Sequence, residues 1–509
     1  MYRGKGTITV FLSLVSILLL SLFCTMIESA RVQGARVQAA AAFDMGLFSV
    51  FGEYDSVLLE EYDLWFLDGT CGNAKFSEET LETKLKDFIY PNLHPAEDIE
   101  ETGYWNLFPA EVDSCQVEKY ALATDDGGRV FYQQAVENEK NLAAGNLIKG
   151  VLKNKEKLKE QEKQGEDYQK ADELAEENLQ KAQEEQKMAE VGNEGEQETE
   201  DMEYVQNTTG ENPVEIIKKW KKMGVLSLVI KDLSEISDRE LTIKNLPSER
   251  KLREGTLEIE GMEESVASET LFLSYLNRHF SNAAEKKEGK GLSYELEYFL
   301  AGEKSDMENL KKIVNKLLLL REGTNYTCIA SSVVMRKEAL ALAGSIAGAV
   351  AVPALTAALQ QTLMLGWAYG ESLLDVRVLL AGGKVPLIKT EKDWKLSLSN
   401  FGKLEELLTE CDKGEGTGQS YEEYLLGLLA VAKKEKRNLR VLDLIEAYRR
   451  MEEGGENFRA DALIAEMEAE CVFELKPVFL TVPAAFMNIS NQGIRYEIKG
   501  RYGYMEGGA

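Results

Sequence analysis

Residues 7–27 read TITVFLSLVSILLLSLFCTMI, 21 consecutive positions without a charged side chain. At about 1.5 Å rise per residue, a helix of this length matches a hydrocarbon core roughly 30 Å thick, so the stretch reads as a transmembrane anchor. Arg3 and Lys5 precede it, and Arg31 and Arg36 follow. That near-even balance leaves orientation to the long C-terminal part, which is expected to be exported. A cleaved signal peptide would have a shorter apolar core, about 7–15 residues, with a small-residue site close behind it. The nearest such site, Ala39-Ala40-Ala41, comes only after Glu28, Arg31 and Arg36, within an alanine-rich stretch that continues as helix to Phe48. The expectation is an uncleaved anchor whose helix runs on into an outer domain.

Outward from the anchor, composition limits the partners. The chain has 509 residues, 59 Lys plus Arg against 87 Asp plus Glu, and a formal net charge of −28. Such a field repels phosphate backbones, so nucleic acid is not an expected partner. The length predicts two or three folded units. Residues 28–129 read as a membrane-proximal helix followed by a loop-rich region with Pro91, Pro95 and Pro109. Residues 130–211 read as an acidic stalk. Between Leu152 and Glu203 there are 8 Lys and 18 acids, a net of −10. The sparse Leu158, Tyr168, Leu174 and Leu179 do not sustain a heptad, so a solvated helix grading into a disordered linker over 191–212 is expected, with a coiled coil as the weaker alternative.

The remainder, 212–509, reads as a compact, mostly helical domain. Asn212-Pro213 has the form of a cap followed by proline at the first helical position. Helices are expected over 268–280, 293–301 and 306–321, with a turn at Gly323-Thr324-Asn325. The apolar stretch 340–359 is rich in Ala and Gly and split by Pro353, so it reads as a buried helical hairpin rather than a second span. Near the C-terminus, CVFELKPVFLTVP and GIRYEIKGRYGYM are β-branched or aromatic and alternate, predicting two antiparallel strands around a turn at 488–493. The fold class is therefore mainly α, in α+β form.

Candidate chemistry is sparse. The two histidines, His94 and His279, lie far apart, which argues against His-based zinc sites and catalytic triads. His94 beside Pro95 reads as a loop residue, and His279 as a helix-end residue. The six cysteines form no C-x-x-C. Cys24 falls in the anchor, and a Cys71–Cys115 disulfide is the pairing expected in an exported chain. No phosphate-binding, nucleophile-elbow or zinc-protease motif occurs. Glu295 and Glu297, flanked by Tyr294 and Tyr298, and Glu371 with Asp375 at i,i+4 near Arg377, are the only paired carboxylates of interest. Such pairs serve glycoside hydrolysis. In a carboxylate-rich chain the plainer reading is that they are structural, paired with Arg321 and Arg377 and bonded to tyrosines. No catalytic, cofactor or metal site is assigned on these residues.

Two resemblances add to this reading. Gly4-Lys5-Gly6, the apolar run from Thr7 to Leu12 and Glu28-Ser29-Ala30-Arg31 resemble the start of TadE/TadG-type pseudopilins, with Phe11 where type IV prepilins usually carry Glu. That resemblance implies a subunit of a Tad or type IV pilus-like surface system, with the bilayer and other copies of the helix as partners through Ser13, Ser16 and Ser21. The segments Glu53-Tyr54-Asp55, Leu58 to Tyr62, Leu64 to Asp68, Leu292 to Tyr298 and Val385-Pro386-Leu387 resemble blocks of a largely clostridial membrane-protein family, domain-of-unknown-function family 5702, which implies envelope location without a reaction. The expected protein is a single-pass envelope component acting through assembly. The alternative is an exported carboxylate hydrolase acting on cell-wall glycan.

Overall fold

The computed structural model describes residues 3–73, 75–94, 108–141, 154–191, 212–259, 265–284, 290–348, 352–411, 417–479 and 493–504. The expected linker at 192–211 and the turn at 488–492 lie outside these residues. The chain divides into two compact units, Met1–Asn138 with Asn245–Met262 and Ile445–Ala509, and Glu139–Lys244 with Glu263–Leu444. This differs from the expected single domain over 212–509, because the C-terminal strands form one sheet with a strand at 110–122.

In the first unit a 49-residue helix, α1 (Arg3–Phe51), is the spine. Its first half carries the apolar run outward, with Leu18 69% exposed. It is the one described helix long and apolar enough to cross a membrane, with a mean hydropathy of 2.6 over its most apolar window. Its second half buries Ala35, Ala39, Ala42, Phe43, Leu47 and Val50. They meet α2 (Glu78–Leu93), whose Leu81, Leu85, Ile89 and Leu93 recur every fourth residue on one face. Ser77 caps α2 by accepting the Thr80 N–H.

Both helices lie on one face of an antiparallel sheet of β1 (Leu67–Asp68), β2 (Ala110–Leu122), β3 (Leu463–Leu475) and β4 (Ile494–Gly503). β3 is central. β2 pairs along its length, β4 pairs with residues 466–475, and β1 meets its first two residues. Met467, Ala469, Cys471, Phe473 and Leu475 point into the core at every second position. The opposite face is charged. Lys499 reaches Glu118 and Glu470, each at 3.0 Å, and Arg495 reaches Glu474 at 3.4 Å. Exposed pairs of this kind contribute about 0–1 kcal/mol each. They do keep the outer strand β4 unattractive for pairing with another chain.

The expected strands at the C-terminus are present, but the loop-rich reading of 70–126 missed β2. Register shifts at Val112/Ser114, Val117/Lys119 and Ala121/Leu122 break its alternation and blur the period-two signal. The expected Cys71–Cys115 disulfide is also corrected. Cys115 pairs with Cys471 directly across β2 and β3, whereas Cys71 is free.

The first helix of the second unit also departs from expectation. Helix α4 (Lys155–Val191) buries Leu158, Gln161, Tyr168, Ala175, Leu179 and Ala182. Their spacing of three, four or seven residues makes one continuous stripe, so the acidic segment is a packed helix rather than a solvated stalk. Helix α5 (Pro213–Lys222) starts as read, with the Asn212 side chain accepting the Val214 N–H at 3.0 Å. Helix α6 (Val266–His279) is capped by Ser265, and His279 ends it, packed on Tyr275. His94, expected in a loop, is instead the C-cap of α2, with its ring tilted against Tyr90 at 4.6 Å.

Helix α7 (Glu295–Ala301) is followed by α8 (Asp306–Ser331), which runs straight through Gly323-Thr324-Asn325. The glycine there serves a close crossing, not a turn. A Cβ on Gly323 would lie 2.4 Å from the backbone of Gln164 and Gly165 in α4. Helices α9 (Val333–Ala347) and α10 (Pro353–Leu380) form the two arms expected around Pro353, which opens α10. The expected burial of 340–359 is corrected: among its described residues only Ala343, Leu355, Ala358 and Leu359 are buried, and Leu340 is 47% exposed. From Leu363 to Leu379 every residue of α10 is buried, so the second unit is built around it. Helix α11 (Tyr421–Val431) and α12 (Lys434–Met451) follow.

Candidate functional site

The buried face of α10 presents Glu371 and Asp375 one turn apart, 0% and 3% exposed. An isolated carboxylate at such depth is costly, so fixed donors must compensate it. Arg321 of α8 donates through Nε to Asp375 at 2.9 Å, and its Nη1 reaches the carbonyls of Pro386 and Leu387 and the Tyr424 hydroxyl. Asn325 donates to Ser372 and to Asp375. The Lys389 ammonium completes the cluster, sitting between Glu371 and Asp375. Glu371 also accepts the Leu396 N–H at 2.8 Å.

Burial raises the Glu371 carboxyl above its ordinary value despite Lys389. At Asp375 burial is outweighed by Lys389 and Arg321, which hold the carboxyl low. Burial disfavours the Lys389 ammonium, but the two carboxylates reverse this and raise its pKa. The group is thus a locked, charge-balanced knot of two cations and two anions.

Glu295 and Glu297 answer to different partners. Glu295 accepts the Ser281 N–H and hydroxyl and the Lys290 N–H. Glu297 accepts the Ala283 N–H and the Tyr421 hydroxyl, each at 2.8 Å. No cation pairs with either among the described residues. Burial raises the Glu295 carboxyl, against its hydrogen bonds. It pushes Glu297 up to about 7, opposed by Ala283 and Tyr421.

The structure therefore pairs Asp375 with Arg321, as the sequence suggested, and links Glu371 to Asp375 through Lys389. It does not join Arg377 to them, since that guanidinium donates to the Val229 carbonyl. Tyr294 and Tyr298 also turn elsewhere, to the Ser237 N–H and to Asp443. Lys389 and Tyr421 were not foreseen. Lys389 sits in a mixed polar run, LIKTEKDWK, with nothing local to mark it. Glycoside hydrolysis needs two carboxyls facing a space that a sugar can enter. None of these four lines the cavities of 710, 250 and 220 Å³. Among the described residues no group of three or more His, Cys, Asp or Glu is placed to hold a metal.

One apolar N-terminal helix, a mainly helical body with a small antiparallel sheet, and buried ionic clusters closed by their own partners define the class of protein. The chain belongs to the family of unknown function DUF5702, whose family model matches residues 203–475. The match includes Leu292 to Tyr298 and Val385 to Leu387 and begins after the segment at 53–68. No curated protein and no solved structure matches the chain.

Proposed function

We propose that this protein is a membrane-anchored assembly component of a pilus-like envelope system, with its two units outside the membrane and no turnover of its own. The observation that carries the reading is α1. Its exposed apolar half is continuous with a half that is indispensable to the first unit's core. Glu28 and Arg31 form a buried pair just past the apolar run, and Glu28 accepts the N–H groups of Val478 and Phe479. Cleavage near Ala41 would remove these bonds together with Ala35 and Ala39, which favours retention of the anchor. The Cys115–Cys471 bridge suits an oxidising, exported location.

Within lipid, association relies on close side-chain packing, and small residues permit it. Ser13 bonds its own helix, donating to the Val10 carbonyl, so exposed Ser16 is the better contact position. The test is N-terminal sequencing of membrane-extracted protein, with co-purification of two differently tagged copies. Retention of residues 7–27 and capture of one copy by the other are expected, with Ser16→Phe reducing capture while the outer units stay folded. A mature start at or after Ala41, or copies that never associate in membranes, would overturn the reading. Amide variants of Glu295 or Asp375 that fold normally yet abolish hydrolysis of cell-wall glycan would replace it with the hydrolase.

A further inference from the structure

The first unit contains a cleft of 710 Å³ that no part of the assembly reading uses. One wall is the start of α3 (Asp125–Asn141), and the other is the extended segment 252–259. Both walls are fixed. Arg250 holds the segment's root by donating to both oxygens of Glu446 at 2.7 and 2.8 Å and to Asp461. The Gly255 N–H donates to Asp125 at 2.8 Å, and the N–H groups of Thr256 and Leu257 donate to the Tyr120 carbonyl. The approach is so close that a Cβ on Gly255 would lie 2.2 Å from Asp125. Opposite, Asp126, Gly127 and Gly128 are all left-handed, with φ of 49°, 65° and 81°, and they bring Arg129 to the cleft.

The side chains lining this space are unspent. Thr124, 3% exposed, lies beneath the cleft, and its hydroxyl is closed off with no hydrogen-bond partner. Such an orphan costs about 1–3 kcal/mol in a protein that gains nothing from it. Gln133, also 3% exposed, lines the cleft, and its side chain has no partner among the described residues. Asp126, Glu254, Glu258 and Arg129 likewise have no ion-pair partner among the described residues, in contrast to the saturated clusters elsewhere. Arg253 is already committed, stacked on Phe76 at 4.3 Å. The cleft thus offers a free guanidinium, free carboxylates and a buried amide.

We propose that this cleft binds a short zwitterionic peptide, with its carboxylate on Arg129, its ammonium among Asp126, Glu254 and Glu258, and its peptide amide on Gln133. Opposite charges within one lined space suit a ligand carrying both charges. A purely anionic ligand would meet the carboxylates, and a purely cationic one would leave Arg129 unpaired. The site is independent of the assembly reading.

Calorimetric titration of the full-length protein in detergent with alanylalanine tests the proposal. Its N-acetyl and C-amide derivatives and glucosamine serve as probes lacking one charge. Saturable binding of the free dipeptide is expected, weakened at least about tenfold by either cap, as befits a lost charge-assisted bond. Arg129→Gln should erase the distinction between free and amidated peptide. Gln133→Leu should weaken binding of the free dipeptide while leaving the melting temperature unchanged or higher, because it removes an unpaired buried amide; a purely structural glutamine would give the reverse. No saturable binding, equal binding of the capped forms, or glucosamine binding as tightly as the dipeptide would each overturn the proposal.

Discussion

Replacing Glu297 by Gln tests whether burial governs the second unit's carboxylates. The Glu297 side chain is completely buried, accepts from Ala283 and Tyr421 through one oxygen, and leaves the other oxygen without a partner. Its folded pKa rises from 4.5 to about 7, mainly through burial. A raised carboxyl binds its proton more tightly when folded, so its contribution to stability is fully present below pH 4.5 and is lost as pH climbs through about 7. At about 1.36 kcal/mol per pH unit, the whole effect is about 3 kcal/mol, of which about 2.5 kcal/mol falls between pH 5 and pH 8.

Glutamine keeps the oxygen that accepts both bonds and cannot ionise. The stability of Glu297→Gln relative to the parent should therefore improve by about 2.5 kcal/mol on going from pH 5 to pH 8. Glu322, which burial raises to about 8, titrates in both proteins and cancels from the comparison. Urea unfolding of the detergent-solubilised protein at the two pH values, followed by circular dichroism, gives the numbers. If parent and variant lose equal stability over that range, Glu297 is ionised in the folded protein and the burial argument is wrong.

Asp375→Asn leaves Lys389 with Glu371 alone and strips buried Arg321 of its carboxylate, and breaking a buried pair in this way should cost about 3–5 kcal/mol in urea unfolding; a loss under about 1 kcal/mol would mean the cluster is hydrated. Replacing Cys115 and Cys471 together by serine should lower stability by about 2–5 kcal/mol, and reductant should then shift the parent's unfolding midpoint but not the variant's. Removal of residues 1–27 should give a folded protein that needs no detergent. Starting the chain at Asn212 should instead give an aggregating one, because α4 is stripped from α8 and α10, so a well-behaved fragment from Asn212 would show that α4 packing is dispensable.

What the sequence determined by itself was what local chemistry encodes. The long apolar helix is legible because 21 uncharged residues in a row would satisfy their backbone in lipid as a helix. Asn212-Pro213 marks a helix start through a bond spanning two residues, and Pro353 splits 340–359 through its own missing N–H. The i,i+4 spacing of Glu371 and Asp375 is likewise a property of one helix. Tertiary structure decided everything that joins distant segments. Cys115 finds Cys471 across 356 residues because β2 lies against β3, a pairing that no local pattern at Cys115 announces. Lys389 joins Glu371 and Asp375 only after the chain reverses beyond α10. Helix α4 looks solvated because its buried stripe uses Gln161, Gly165 and alanines, which count as apolar only when a facing backbone comes close enough to cover them. Gly323 reads as a turn for the same reason: a glycine permits a bend or a close approach equally, and only the helix crossing selects between them.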